Sequence, residues 1–181
     1  MSARKEDPRA IRSRKLLKEA VIASLNESQN LQELTVKGVT TKAELNRATF
    51  YLHYVDMQDL LRHVVYDILD DLSNKLSSFL QLEPIVLDEQ LLAFLDYFYQ
   101  NRKHLSVLFE EKDFQNKLHN FIVEFVQTRR DLQKIVTEDA VSKDIIASSI
   151  LGILMWWIRD GKQYSSEYIA AQMSIWITRR H

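Results

Sequence analysis

The stretch NRATFYLHY, residues 46–54, crowds polar donors and aromatic rings into nine positions. The hydroxyls of Thr49 and Tyr51 and the imidazole of His53 can donate to phosphate oxygens, and Arg47 can grip guanine or phosphate with two N–H groups. Asn46 opens the run, and Thr35 and Lys37 lie a short way upstream, where they can touch a phosphate backbone. Singly, each has an ordinary explanation: Arg47 and Lys37 as solvated charges, His53 as a half-buried structural histidine, Phe50 and Tyr54 as core. In this order and spacing they form a candidate nucleic-acid surface.

Charge supports a polyanion partner at the same end of the chain. The net charge of −1 divides into +3 over residues 1–63 and −4 over residues 64–181. Arg4, Lys5, Arg9, Arg12, Arg14, Lys15 and Lys18 face only Glu6 and Asp7 in the first 18 residues. This is either a solvated end or a cationic arm whose section 4–15 adds phosphate or minor-groove contacts.

Catalysis finds no comparable set. There is no glycine-rich phosphate loop, no HExxH helix and no GxSxG elbow. The five histidines are scattered, and pairs such as Asp70–Asp71 and Glu110–Glu111 point to different helix faces. With no cysteine, disulfides, thiolate metal sites and a cysteine nucleophile are excluded. No enzyme activity, metal site or cofactor is expected. The N-terminus lacks an apolar run after its charges, and no uncharged apolar stretch of about 20 residues occurs, so the expectation is a cytoplasmic protein without a membrane partner.

The elements that must position NRATFYLHY are helical. Three glycines and two prolines in 181 residues argue for long helices joined by short loops. Apolar spacing predicts helices over about 9–27, 36–42, 46–54, 57–81, 102–110, 112–133, 138–160 and 166–179, and one after Asp88 that carries Leu91, Leu92, Leu95 and Phe98. Thr35, Asn46, Asp56 and Asp88 are candidate N-caps, LEP at 82–84 and Gly161 candidate stops. The fold class is therefore all-α with about nine helices. Two short helices after an amphipathic one follow the helix-turn-helix plan, whose second helix enters the major groove. Residues 1–56 are the expected DNA-binding domain, and 57–181 the larger helical domain.

The run LTVKGVTTKAELNRATFYLHYVDMQDLL, residues 34–61, resembles the DNA-binding signature of the TetR/AcrR family of bacterial transcriptional regulators. Its most specific part is Arg47-x-Thr49-Phe50-Tyr51-x-His53-Tyr54-x-Asp56-x-x-Asp59-Leu60-Leu61. SSILGILMWWIRDGKQYSSEYIAAQM, residues 148–173, is similar to the C-terminal domain of one TetR subgroup. The resemblance implies a repressor that binds a pseudo-palindromic double-stranded operator as a homodimer and is released by a small-molecule effector. The alternative is a TetR-like coactivator or adaptor that acts through a protein partner. Two departures favour it: Glu44 where the family has a turn glycine, and Met57 where it often has a phosphate-binding lysine. If the turn requires φ > 0, glutamate there is strained by about 1 kcal/mol.

In the larger domain, Tyr97, Phe98, Phe109, Phe121, Phe125 and Trp156 are either packing residues or the lining of an effector pocket. Residues 138–160 are apolar round most of the helix, and such a helix needs burial on two faces. Ile146, Ile150, Ile153 and Trp157, with Ile169, Met173 and Trp176 of the last helix, are the expected homodimer surface.

Overall fold

The computed structural model describes residues 7–28, 30–77, 87–133 and 141–178. These form nine α-helices and one 3₁₀ turn, with no strand among the described residues. The chain divides into two compact units at Asp67–Ile68, within a helix, whereas the sequence reading put the domain boundary at that helix's start, 56/57. Leu60, Leu61 and Val64, from the first turns of that helix, are buried on the N-terminal side of the division.

In the N-terminal unit, α1 (Pro8–Ser28) starts with Asp7 accepting from the Arg9 amide at 2.9 Å, and proline occupies the first helical position, where no N–H is missed. Its buried face is Ser13, Leu17, Ala20, Val21 and Leu25. A 3₁₀ turn (Leu31–Glu33) leads to α2 (Val36–Lys42), then α3 (Arg47–Tyr51), then α4 (Met57–Ser77). Phe50 is fully buried and Tyr54 nearly so, their rings 5.8 Å apart. Burying a side chain such as Phe50 stabilises this small unit by about 1.5–3 kcal/mol.

α3 is shorter than the 46–54 expected. After Tyr51 the chain tightens, with the His53 amide bonded to the Phe50 carbonyl at 2.9 Å. The Val55 amide is then taken by the Asp59 carboxylate at 3.0 Å, while Asp56 accepts from the Asp59 amide at 2.8 Å. This reciprocal cap starts α4 and ends the preceding helix. The Val55 bond and Arg62 hold the Asp59 carboxyl below the usual carboxylate range.

The C-terminal unit contains α5 (Leu87–Gln100), α6 (Arg102–Leu108), α7 (Lys112–Gln133), α8 (Lys143–Arg159) and α9 (Ser166–Thr178). α7 lies along α8 and α5 along α9, while α8 also meets α5 and α6. Its centre is a chain of rings: Phe98 stands 4.9 Å from Phe94 and 6.2 Å from Phe109, which stands 5.3 Å from Phe114. α8 starts after Ser142, whose hydroxyl accepts from the Asp144 amide. The expected start at 138, the stop at Pro84, Phe79, the side chains of Asp88 and Trp176, and the arm residues Arg4 and Lys5 lie outside the described residues.

Gly161 stops α8 for a different reason than expected. Its φ is not left-handed; a Cβ there would stand 3.1 Å from the Trp157 Cα and 3.2 Å from the Trp156 ring. Close approach, not backbone handedness, favours glycine there.

Candidate nucleic-acid interface

The α2–α3 turn is built from local hydrogen bonds. The Thr35 hydroxyl oxygen accepts from the Gly38 amide at 3.0 Å and so caps α2. Asn46 Oδ1 caps α3, accepting from the Thr49 amide at 2.7 Å and the Thr49 hydroxyl at 2.9 Å. Between them Glu44 adopts φ 55°, in the left-handed region, which costs a side-chain-bearing residue about 1–2 kcal/mol. Its carboxylate is exposed on the turn.

His53 is tied into the fold. The Ser13 hydroxyl oxygen lies 2.6 Å from His53 Nε2 and forms a hydrogen bond with it, while also standing 3.0 Å from the Arg9 carbonyl and 3.1 Å from the Ala10 carbonyl. Whichever partner donates, the bond engages Nε2 and ties α1 to the end of α3. Tyr54 is enclosed beside it, 5.2 Å from the His63 ring, and burial pushes its hydroxyl pKa up to about 12.

The seven residues read as DNA contacts therefore separate into two groups. Lys37, Arg47 and Tyr51 are exposed and make no ion pair or hydrogen bond among the described residues, and the exposed Thr35 keeps its O–H proton to donate. Asn46 Oδ1, the Thr49 hydroxyl and His53 Nε2 are engaged in capping α3 and fastening it to α1. A phosphate oxygen only accepts, so Thr49 would have to leave its cap to reach one.

Sequence reasoning missed the apolar part of this surface. Leu52 and Val55 are 80% and 81% exposed, and Ala48, one turn before Leu52, is exposed too. The signal was available: Leu52 lies two residues from buried Phe50, about 200° round a helix, and so on its outer side. The Ser13 partner of His53, 40 residues away, had no local signal.

The residues read as an effector pocket do not come together. Tyr97, Phe98 and Phe109 are buried in the ring cluster and are packing residues. Phe121 and Phe125 line a groove of about 260 Å³ between α4 and α7, with Leu69, Asp70, Ser73 and Leu76. Trp156 lies in another groove, of about 290 Å³, with Ile153, Tyr164, Tyr168 and Met173.

The expected dimer set also divides. Trp157 is 2% exposed, stacks on Tyr99 at 5.9 Å and donates from Nε1 to the Tyr164 carbonyl at 2.9 Å; Ile169 and Met173 are each 3% exposed. These three belong to the core of the subunit, because the inner face of α8 runs through Ala147, Leu154, Trp157 and Ile158. Ile146, Ile150 and Ile153 are half-buried. The outward apolar groups of α8 and α9 are Ile145, Trp156, Tyr168 and Ile175, and Gly152 of α8 has open space where a Cβ would stand.

An all-helical fold with this α2–turn–α3 arrangement defines a helix-turn-helix protein. The family model described as "Transcriptional regulator C-terminal region", a TetR model, matches residues 87–179, half of the chain. The chain belongs to the TetR family of transcriptional regulators. It is 25% identical over 177 residues to an uncharacterized HTH-type transcriptional regulator, YxbF, of Bacillus subtilis. That alignment covers 92% of this chain but 44% of the relative, so the chain spans less than half of that protein. A solved TetR transcriptional regulator of Streptococcus agalactiae has the same fold, with a TM-score of 0.71 and 22% identity over 95% of this chain and 96% of that one. The dihydroxyacetone kinase operon activator DhaS shares it at a TM-score of 0.66 and 18% identity, covering 91% and 93%.

Proposed function

We propose that this chain is a sequence-specific DNA-binding regulator of transcription that works in the cytoplasm as a C2 homodimer. The observation that carries the reading is the outer face of α3, where Arg47 and Tyr51 are exposed and make no hydrogen bond or ion pair among the described residues. Arg47 reads a base or clamps a phosphate. Tyr51, Thr35 and Lys37 donate to the phosphate backbone, and Arg9 and Arg12 of α1 extend the cationic edge. Asn46, Thr49 and His53 act indirectly by holding α3. Repression follows if the operator overlaps a promoter, since the bound dimer then blocks polymerase.

One half-site reader gains specificity from a second copy held at a fixed spacing, about one DNA turn or a multiple of it. The outward apolar groups of α8 and α9 suit such pairing, and Gly152 lets a second helix approach closely. Sedimentation equilibrium at micromolar concentration should give a dimer without DNA; a 21.3 kDa monomer would remove the two-half-site mechanism. The small-molecule effector would bind in the α4–α7 groove beside Phe121 and Phe125.

A gel shift with the DNA upstream of the chain's own gene, over a range of salt, tests the reading. Affinity should fall steeply with salt, as expected when cations replace counterions on phosphates. A folded dimer that binds no DNA at low salt would favour the second reading, an adaptor acting through a protein partner. The left-handed, exposed Glu44 supports that reading, since its charge faces any polyanion, and DhaS is an operon activator with the same fold.

A further inference from the structure

We infer that Ala48 and Leu52 read the 5-methyl groups of thymines, so that an apolar ridge of α3 sets operator sequence alongside Arg47. The inference rests on the DNA-binding reading above. The polar side chains of this helix offer little base-reading capacity. Asn46 Oδ1, which adenine recognition through the amide requires, accepts two bonds from Thr49, and His53 Nε2 is bonded to Ser13. Arg47 and Tyr51 form one outward ridge at i, i+4. Ala48 and Leu52 form the next, and the Leu52 amide bonds to the Ala48 carbonyl at 3.1 Å, so the two lie one turn apart on the same side.

Leu52 is 80% exposed, and none of the described residues of its unit covers it. An isobutyl group held in water on the outer side of a five-residue helix gains by meeting an apolar surface. In the major groove only thymine presents one. Ala48 adds a methyl of its own and is small enough to let the helix approach the base edges closely. Exposed Arg47, next to Ala48 in the chain, and exposed Lys37 of α2 make no ion pair among the described residues, and these two cations favour DNA over a protein partner against the single charge of Glu44.

The test starts from duplexes selected by the full chain from a randomised library. Thymines of the half-site are then replaced singly by deoxyuridine, which deletes only the methyl group, and affinity is read by fluorescence anisotropy at fixed salt. One or two positions per half-site should lose about threefold to tenfold in affinity, the size expected for one buried methyl. In Leu52→Ala that penalty should vanish at one of these positions while the salt dependence stays unchanged. Lys37→Ala should lower the salt dependence and keep the penalty. Circular dichroism should show Leu52→Ala folded, because the side chain is exposed. Unchanged affinity for every deoxyuridine duplex would overturn thymine reading and leave the regulator reading intact. Failure to select any duplex at low salt would overturn both.

Discussion

The two units of this chain use their chemistry in opposite ways. In the N-terminal unit, side-chain oxygens are directed at the chain's own backbone: Asp7, Thr35, Asn46 and Asp56 each hold a helix start. A few donors and two apolar groups are left pointing outward from a five-residue helix. In the C-terminal unit the large side chains are directed at each other, through Phe94, Phe98, Phe109 and Phe114. The first arrangement is short-range, with most partners within four residues; the second joins three helices. A surface held by local capping can be precise while small, whereas a ring cluster gives volume and leaves its outer faces free to serve as grooves or interfaces.

The most forceful way to break this comparison is to remove one ring from each unit. Phe50→Ala and Phe98→Ala should each cost about 3–5 kcal/mol, the usual range for truncating a buried phenylalanine. Hydrogen exchange should place the losses differently, over residues 8–67 for Phe50→Ala and over α5–α9 for Phe98→Ala. Equal loss of protection throughout by either variant would mean the two units unfold as one.

The outward donors can be probed more gently. Arg47→Ala should weaken operator binding by about 1–3 kcal/mol and relax preference at one base position. Tyr51→Phe should cost less and weaken all sequences alike. If both variants weaken every duplex equally, Arg47 is a phosphate contact rather than a base reader.

Glu44 separates strain from charge. Glu44→Gly should raise stability by about 1 kcal/mol by relieving the left-handed backbone, and should tighten DNA binding by removing a negative charge from the turn. A weaker DNA complex would mean that the carboxylate has a positive role there.

The smallest expected effect lies in the C-terminal core. Burial holds His104 below the ordinary imidazole pKa of about 6.5. Above that pH the folded and unfolded forms are both neutral and the full stability is present. As pH falls below it, the unfolded chain takes up the proton first, and stability declines toward the folded pKa. Thermal midpoints between pH 7 and 5 should fall more steeply for the native chain than for His104→Gln.

The positions of the helices were legible in the sequence because apolar spacing and caps are local. The second helix matches its predicted span, Val36–Lys42, and Asn46 caps the third through Thr49 as its position suggested. The left-handed backbone at Glu44 was signalled only through the family resemblance, in which a glycine holds that turn position. Even the outer position of Leu52 could have been read from buried Phe50, since the helical repeat fixes the angle between them.

Only the tertiary structure decided which polar groups of NRATFYLHY are open to solvent. The sequence specifies that His53 can donate, but its Nε2 is engaged with the Ser13 hydroxyl because α1 passes that point, 40 residues earlier in the chain. The same holds for α8, whose apolar residues encircle the helix and leave its orientation undetermined by spacing. Packing against α5, α6 and α7 turns Trp157 inward and leaves Trp156 45% exposed. Periodicity states which residues share a face. Which face is covered depends on what the rest of the chain brings to it.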